Sequence, residues 1–275
     1  MSEALDAARY ELALANRIIA HEGVLDGFGH VSIRHPHDPS RYLLARSRSP
    51  ELIEPTDLLE FTLDSEPVVA PKGEMYGERV IHGCIYQARP DVNAVCHHHS
   101  ASVLPFCVTG IALEPVFHMG PVMGQEVPFW DSRDDFGDTD LMVVKPEEGR
   151  SLAKTLGPNW MVLMRRHGAT VAGRTLRELV FRTVYSSFNA EIQLRSMAIG
   201  KIGALNAAER QRSEPRQLSP RPMARAWEYW TMRLQKAGGL PPPIKPAKAK
   251  PAKAKQAKTK AKVAKSNKKR AGRSR

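Results

Sequence analysis

The feature that most constrains this chain is the stretch from Glu78 to His99, in which an apolar-periodic segment and an Arg-Pro-Asp turn lead to three consecutive histidines. The apolar run just before them, Val92–Cys96, is typical of a short β-strand, whose side chains alternate between two faces. We therefore expect His97 and His99 to point to one side and His98 to the other. Two imidazoles on one face can share a divalent cation, which needs at least one further ligand.

A second apolar run supplies a candidate for that further ligand. Residues 161–164 are apolar, and His167 follows them together with Gly168. Because glycine permits a sharp backbone turn, His167 is well placed to reach a cavity at the end of a strand. The alternative interpretation of such histidines is that they have no metal role, and we interpret His21, His35, His37 and His82, which have no comparable context, as solvated or core histidines.

The charge of the chain is concentrated at one end. The net charge of the 275 residues is +12, yet residues 241–275 alone contain 14 Lys or Arg and no acid. The remainder, residues 1–240, is therefore near neutral and is predicted to be one catalytic domain. The Lys/Ala/Pro repeats of 241–275 have no apolar face and predict a disordered tail. Two interpretations of the tail remain open: loose electrostatic contact with nucleic acid or an anionic surface, or a solubilising appendage without a specific partner.

The cysteines and the apolar runs indicate a compartment. Three cysteines without paired spacing, Cys84, Cys96 and Cys107, argue against a disulfide framework and favour the reducing cytoplasm. No apolar run reaches membrane-spanning length, and the acidic N-terminus does not resemble a signal peptide. We therefore expect a cytoplasmic protein without a membrane span.

Hydrophobic periodicity predicts an α/β domain with a mostly antiparallel central sheet flanked by helices. Helices are predicted over residues 5–21, 78–88, 148–156 and 223–236, in a short segment after Ser100, and in a long segment that a Thr175–Glu178 capping box opens. Strands are predicted near residues 30–34, 41–45, 59–63, 67–70, 92–96, 112–117, 141–144 and 161–164.

Together these motifs resemble the class II aldolase/adducin family over about residues 5–210. The resemblance is carried by Glu78, by the helix end Tyr86–Asp91, by His97–His99 and by Arg166–Gly168. It implies a nine-stranded antiparallel sheet and a four-fold homotetramer with active sites between subunits. It further implies a divalent metal held by His97, His99 and His167, with Glu78 as the catalytic acid/base and an optional metal ligand.

The chain departs from the sugar-phosphate aldolases of that family where they bind phosphate. The equivalent positions are His30, Arg46–Ser47 and Tyr76–Gly77, so the phosphate site is largely missing. The aldolases' tyrosine proton donor would fall near His118, where this chain has no tyrosine. A retro-aldol reaction on a phosphorylated sugar is therefore not the preferred prediction.

The decarboxylase branch of the family, which acts on hydroxypyridine- and hydroxybenzoate-type acids, is similar to this chain at three further motifs. These are Gly29–Ser32, Ser47–Ser49 and Glu51–Ile53. The resemblance thus implies a metal-dependent lyase that decarboxylates a hydroxy-aromatic, or related hydroxy, carboxylic acid. Three alternatives remain: a class II aldolase cleaving a small hydroxy-carbonyl substrate, a non-haem iron oxygenase, and a non-catalytic adducin-like binding domain.

Candidate substrate and metal contacts complete the prediction. A small carboxylate could be held by the cationic and hydroxyl groups of His30, Arg46, Ser47 and Arg48, each of which has a structural alternative. His118 is interpreted either as a second catalytic acid or as a core histidine. The decarboxylase resemblance favours manganese and the aldolase resemblance favours zinc, while iron would allow oxygen chemistry; the ligand types alone do not choose between these metals.

Overall fold

The central element of the computed structural model, which describes residues 3–71 and 73–244, is a mixed sheet of seven strands. Its order is β3-β2-β1-β4-β7-β6-β5, and every neighbouring pair is antiparallel except β5 and β6. The strands are β1 (His30–His35), β2 (Asp38–Ala45), β3 (Leu58–Thr62), β4 (Ala94–His98), β5 (Phe129–Trp130), β6 (Met161–Met164) and β7 (Gly168–Gly173).

Helices flank this sheet. In the described part of the chain they are α1 (Glu3–His21), α2 (Arg79–Ala88), α3 (Leu104–Thr109), α4 (Arg133–Phe136), α5 (Pro146–Leu156), α6 (Leu176–Met197), α7 (Ala207–Gln217) and α8 (Pro220–Lys236). Across residues 3–71 and 73–244, every helix is too short or too polar to cross a membrane. The α/β class and the mostly antiparallel sheet are confirmed.

The two central strands, β4 and β7, are buried along their whole length and lie in the middle of the core. Helix α6 packs against both of them, and α1 packs against β1 and α6. On β4 the alternation of side chains separates two environments: Cys96 lies near Thr183 of α6, whereas His97 lies near Glu78, at the start of α2. One face of β4 therefore belongs to the core, and the other carries the candidate site.

Three of the predicted strands do not form, and the described sheet has seven strands instead of the nine that the resemblance implies. Residues 67–70 make only an isolated bridge between Pro67 and Phe61, with the Val68 amide bonded to the Glu60 carbonyl at 2.9 Å. In 112–117, the amides of Glu114 and Val116 bond side-chain oxygens of α6, at 2.8 and 3.0 Å, rather than a strand. In 141–144, the Val143 amide bonds a carboxylate instead.

The helices follow the prediction more closely, with one correction at the start of α6. The Thr175 hydroxyl accepts a hydrogen bond from the Glu178 amide, as a capping box requires. The Glu178 carboxylate, however, bonds the buried Arg182 at 2.8 Å instead of returning to the cap. Helix α7 and strand β7 were not predicted from the sequence, since the polar α7 has no buried residue and the small residues of β7 give little apolar signal.

The predicted tail falls mostly outside the described residues. The compact unit of the structure ends at Ile244, and residues 245–275 are not described. The division into a catalytic domain, residues 1–240, and a tail, residues 241–275, stays a prediction, and Pro241 is buried. The disorder of the tail and its contact with nucleic acid or an anionic surface stay predictions. Cys84, Cys96 and Cys107 are all free and buried.

Candidate metal centre

The end of β4 brings two histidines together. The Nε2 atoms of His97 and His99 lie 3.0 Å apart. Although β4 ends at His98, His99 still lies on the same face as His97, as alternation along an extended backbone predicts. His98 points away from them: its Nδ1 accepts a hydrogen bond from the Ser100 amide at 3.2 Å. The alternation read from the sequence is therefore present in the structure.

The turn between β6 and β7 delivers the third histidine. Its left-handed residue is Arg166, with φ of 53°, and not the glycine on which the sequence argument relied. Gly168 is needed for a different reason, because a Cβ there would lie 2.3 Å from the His98 carbonyl oxygen and 2.9 Å from His99 Cδ2. Close approach of β7 to β4 thus places His167 beside the pair.

Glu78 completes the group from the residue immediately before α2. Its Oε1 accepts a hydrogen bond from the Val143 amide at 3.0 Å and lies 3.5 Å from His167 Nε2. Its Oε2 lies 3.6 Å from His97 Nε2. The side chain is only 5 % exposed, so the carboxyl group is held largely away from solvent.

The four groups have the spacing of a metal site. One ligand atom from each of Glu78, His97, His99 and His167 lies within 4.8 Å of all the others. Nitrogen and oxygen ligands placed about 2.1 Å from a shared ion in tetrahedral geometry are about 3.4 Å apart, which is close to the separations seen here. Three imidazoles and one carboxylate also form a donor set that suits a divalent transition metal. The residues therefore fit the metal that the resemblance implies.

The electrostatics of the group favour a cation. Burial raises the pKa of Glu78 to about 7, because an isolated carboxylate is poorly solvated there. Burial, followed by the charge of neighbouring histidines, lowers the pKa of His97 well below its usual value and that of His167 to about 4. His97 and His167 are thus neutral at physiological pH and have lone pairs free for a metal, whose charge would in turn stabilise the ionised Glu78.

Second contacts orient two of the rings. His99 Nδ1 lies 3.2 Å from Asp26 Oδ2, and His97 Nδ1 lies 3.3 Å from Thr170 Oγ1. Bonds at Nδ1 leave Nε2 as the nitrogen directed at the shared point, which is how metal-binding histidines are commonly oriented. Sequence analysis identified neither Asp26 nor Thr170, since no local motif links them to the histidines.

A cavity of about 520 Å³ is lined by three of the four groups, Glu78, His99 and His167, while His97 is fully buried beside them. Of the predicted substrate contacts, His30 and Ser47 line it. Arg46 and Arg48 do not, because both guanidinium groups bond the carboxylate of Asp57, at 2.8 and 2.5 Å. The remaining lining residues outside the metal group are Phe28, Tyr76, Gly77, Asp140, Leu141, Met142 and Arg166.

Arg166 is the cation that sequence analysis missed in this cavity. Among the described residues its guanidinium has no hydrogen-bonding or ionic partner, and its side chain is exposed. Its position next to His167 was the available signal. The predicted His118 lies elsewhere, exposed, in a separate cavity with Arg221 and Arg225, and the structure of one chain does not bring it to Glu78.

Comparisons with known proteins find similar sequences and a similar fold. Residues 10–194 match the class II aldolase and adducin N-terminal domain family. The decarboxylase tropJ of Talaromyces stipitatus is 32% identical over 243 residues, covering 80% of this chain and 91% of the relative. The 3,4-dihydroxyphthalate decarboxylase of Arthrobacter keyseri is 28% identical over 215 residues, covering 72% and 81%. An aldolase II superfamily protein from Pseudomonas syringae has the same fold, with a TM-score of 0.73 at 21% identity, covering 87% of this chain and 96% of that one.

Proposed function

Because the chain belongs to the class II aldolase and adducin family and is a metal-dependent lyase, we propose that it decarboxylates a hydroxy-aromatic carboxylic acid. The observation that carries this proposal is the convergence of Glu78, His97, His99 and His167, of which all but His97 line one cavity. The decarboxylases among its relatives support the choice of reaction within the lyases.

The proposed metal ligands are His97, His99 and His167, with Glu78 as a further ligand in the absence of substrate. Class II aldolases depend on a divalent metal, and we propose manganese here, with zinc and iron as the alternatives. A bound cation would supply Lewis-acid stabilisation of the substrate's hydroxyl oxygen as negative charge develops.

Glu78 is proposed as the proton carrier. When the bond between the ring and the carboxylate breaks, carbon dioxide leaves and its bonding electrons stay on the ring carbon, which must then accept one proton. Burial raises the pKa of Glu78 while a bound cation would lower it, and a carboxyl group balanced between these two effects can take up and release that proton. The Val143 amide bonds Glu78 Oε1, so the group is held in place while it acts.

The cavity suits an aromatic acid in shape and in charge. Phe28, Leu141 and Met142 supply apolar walls for a ring. Ser47, His30 and the unpaired Arg166 supply polar groups for carboxylate or hydroxyl oxygens. Arg46 and Arg48 act through Asp57, by holding the loop that carries Ser47, rather than by touching substrate.

Assembly is part of the proposal. We propose a homo-oligomer, in the form of a tetramer with active sites between subunits, as the family resemblance implies. Since His118 lies on the surface of its own chain, away from the cavity, its proposed role as a second acid requires that it reach the site of a neighbouring subunit.

The test compares substrates and metals directly. Manganese-, zinc- and iron-loaded protein is incubated with hydroxybenzoates and dihydroxyphthalates, and separately with sugar phosphates, while carbon dioxide, aldehyde and oxygen are followed. Carbon dioxide release without oxygen uptake supports the proposal. Aldehyde release from a sugar phosphate would establish the aldolase instead, and oxygen uptake would establish the oxygenase. A protein that binds no metal and converts none of these compounds would favour the adducin-like binding role.

A further inference from the structure

A buried chain of four hydrogen-bonding side chains runs from the cavity wall into the protein. His30 Nδ1 lies 2.7 Å from His82 Nε2, and His82 Nδ1 lies 2.6 Å from Ser32 Oγ. Ser32 Oγ lies in turn 2.8 Å from the Tyr86 hydroxyl. None of the four is more than 1 % exposed, and His30 is the member that lines the cavity. The histidine interpreted from the sequence as a core residue, His82, therefore contacts a cavity residue directly.

The direction of these hydrogen bonds follows from the hydrogens available. The Tyr86 hydroxyl has one hydrogen, and among the described residues the Ser32 Oγ atom is the acceptor within reach. The hydroxyl donates to Ser32, because a buried O–H without an acceptor is costly. Ser32 then donates its own hydrogen to His82 Nδ1, which must be the unprotonated nitrogen of that ring.

The same reasoning fixes the proton on His30. With Nδ1 unprotonated, His82 has its hydrogen on Nε2 and donates it to His30 Nδ1. The reverse direction would leave the Tyr86 hydrogen without an acceptor. Each ring accepts a hydrogen bond at its Nδ1 in this arrangement, so neither ring has hydrogen on both nitrogens and both are neutral. A neutral His30 that accepts at Nδ1 has its hydrogen on Nε2.

We propose that Tyr86, Ser32 and His82 are positioning residues that hold His30 as an Nε2–H donor toward the cavity, where it bonds an anionic oxygen of the substrate. That the bonded oxygen belongs to an acidic substrate rests on the proposed function, whereas the Nε2–H tautomer of His30 does not depend on it. An N–H donor selects a carboxylate or phenolate oxygen and disfavours a group that itself presents N–H at the same place. His30 thus becomes a specificity determinant.

The tautomer can be measured without substrate or turnover. In full-length, zinc-loaded protein labelled with ¹⁵N-histidine, long-range proton–nitrogen correlation spectra report which ring nitrogen carries hydrogen. The His30 signals are assigned by their loss in His30→Gln. We expect His30 to be protonated at Nε2 and unprotonated at Nδ1. Protonation at Nδ1 overturns the proposal, whether or not the protein proves to be a decarboxylase.

A pair of variants at residue 82 separates hydrogen bonding from packing. His82→Gln retains an amide N–H near the place of the ring Nε2–H, whereas His82→Phe fills the space without a donor. For 2-hydroxybenzoate bound to the zinc-loaded protein, we expect Kd to rise about tenfold in His82→Phe and to stay within about twofold in His82→Gln. Equal weakening in both variants would show that the ring acts by shape alone and would overturn the proposal.

Two comparisons make this result specific. Tyr42→Phe removes a buried hydroxyl that bonds Ser65 at 3.0 Å and takes no part in the hydrogen bonds between Tyr86, Ser32, His82 and His30. This variant should leave Kd unchanged. Benzoate, which has only the carboxylate, and phenol, which has only the hydroxyl, show which oxygen His30 bonds. The probe whose Kd rises in His82→Phe is the one that contains the bonded oxygen. If Tyr42→Phe weakens binding as much as His82→Phe, loss of a buried polar group explains both effects and the proposal fails.

Discussion

At the scale of single residues, the site combines groups that would be unfavourable if each stood alone. A 5 % exposed carboxyl group lies within 3.6 Å of imidazole nitrogens that burial keeps neutral. Without a cation, the ionised form of Glu78 has one amide hydrogen bond and little solvent to stabilise it. A divalent ion offsets that cost and makes the four groups mutually compatible.

Replacing the carboxyl group while keeping its shape tests the role of Glu78. Glu78→Gln preserves an oxygen for the Val143 amide and leaves three histidines for the metal, but it removes the titrating proton. We expect metal content near that of the wild type and kcat lower by about 10²- to 10⁴-fold. Metal is measured by mass spectrometry and turnover by carbon dioxide release.

The matched control for that variant is Glu148→Gln. The Glu148 carboxylate is also buried and bonds the adjacent amides of Val144 and Lys145, both at 3.0 Å, but it does not line the cavity. Its replacement should leave kcat within about threefold of the wild type. An active Glu78→Gln enzyme would exclude this residue as the proton carrier.

His98 should make stability depend on pH. Burial lowers its pKa to about 3, against 6.5 in the unfolded chain, so the unfolded state binds more protons between these values. Stability is therefore full above pH 6.5 and falls by about 1 kcal/mol per pH unit as the pH decreases below it. In His98→Asn, whose side-chain oxygen can still accept from the Ser100 amide, urea titrations at pH 6 and pH 5 should show a slope smaller by that amount. An unchanged slope would contradict the buried, neutral state of His98.

The residues found from the sequence share one property, which is proximity along the chain to a regular pattern. Alternation on one strand identified His97 and His99, and an apolar run identified His167. Asp26 and Thr170 escaped detection because their contacts depend on tertiary packing. Arg46 and Arg48 were expected to be available for substrate, since a sequence cannot show that Asp57 occupies them.

At the scale of elements, the predicted strands that do not form show why hydrophobic periodicity alone is insufficient to predict a strand. Residues 112–117 and 141–144 are apolar enough for strands, but their amides are used by Asn189 and Gln193 of α6 and by Glu78. Backbone hydrogen bonds must be satisfied, but which partner satisfies them is decided by the packed structure. The long amphipathic helices depend less on such choices, and their positions were predicted well.

A substitution at Gly168 tests how closely strands β4 and β7 must approach each other. Gly168→Ala introduces a Cβ that would meet the His98 carbonyl and the His99 ring, so β7 must move away from β4. We expect a loss of about 1–3 kcal/mol in unfolding free energy and weaker metal binding. Thermal denaturation and metal titration measure the two effects.

The control for the glycine variant is Gly203→Ala, because a Cβ at that position meets nothing within 4 Å. It should leave both stability and metal affinity near wild type. A Gly168→Ala protein that is as stable and binds metal as tightly as this control would show that β7 tolerates the extra methyl group, contrary to the packing argument.

At the scale of the whole molecule, the charge and the chemistry lie in different segments. Truncation after Ile244 removes 14 Lys or Arg and no acid, which changes the net charge from +12 to about −2, and it leaves every residue of the candidate site. We expect the truncated protein to retain the proposed decarboxylase activity and the oligomeric state of the full chain, measured by carbon dioxide release and light scattering. Salt-dependent binding to DNA by the full chain alone would assign the tail an electrostatic role. Loss of activity or assembly would show that residues 245–275 serve the catalytic unit.

Metal removal should destabilise the whole domain, because the proposed ligands come from the start of α2, the end of β4 and the turn between β6 and β7. A ligand that binds only the folded state at 100 times its Kd adds about 3 kcal/mol of stability, which corresponds to about 5–10 °C in Tm for a domain of this size. Chelation should lower Tm by that amount, and added manganese or zinc should restore it. His167→Ala should have the Tm of the chelator-treated wild type whether or not chelator is added. His37→Ala, at an exposed position, should respond to chelator like the wild type. If chelator removes the bound metal and Tm does not change, the ion does not link these elements, and the three-histidine site is wrong.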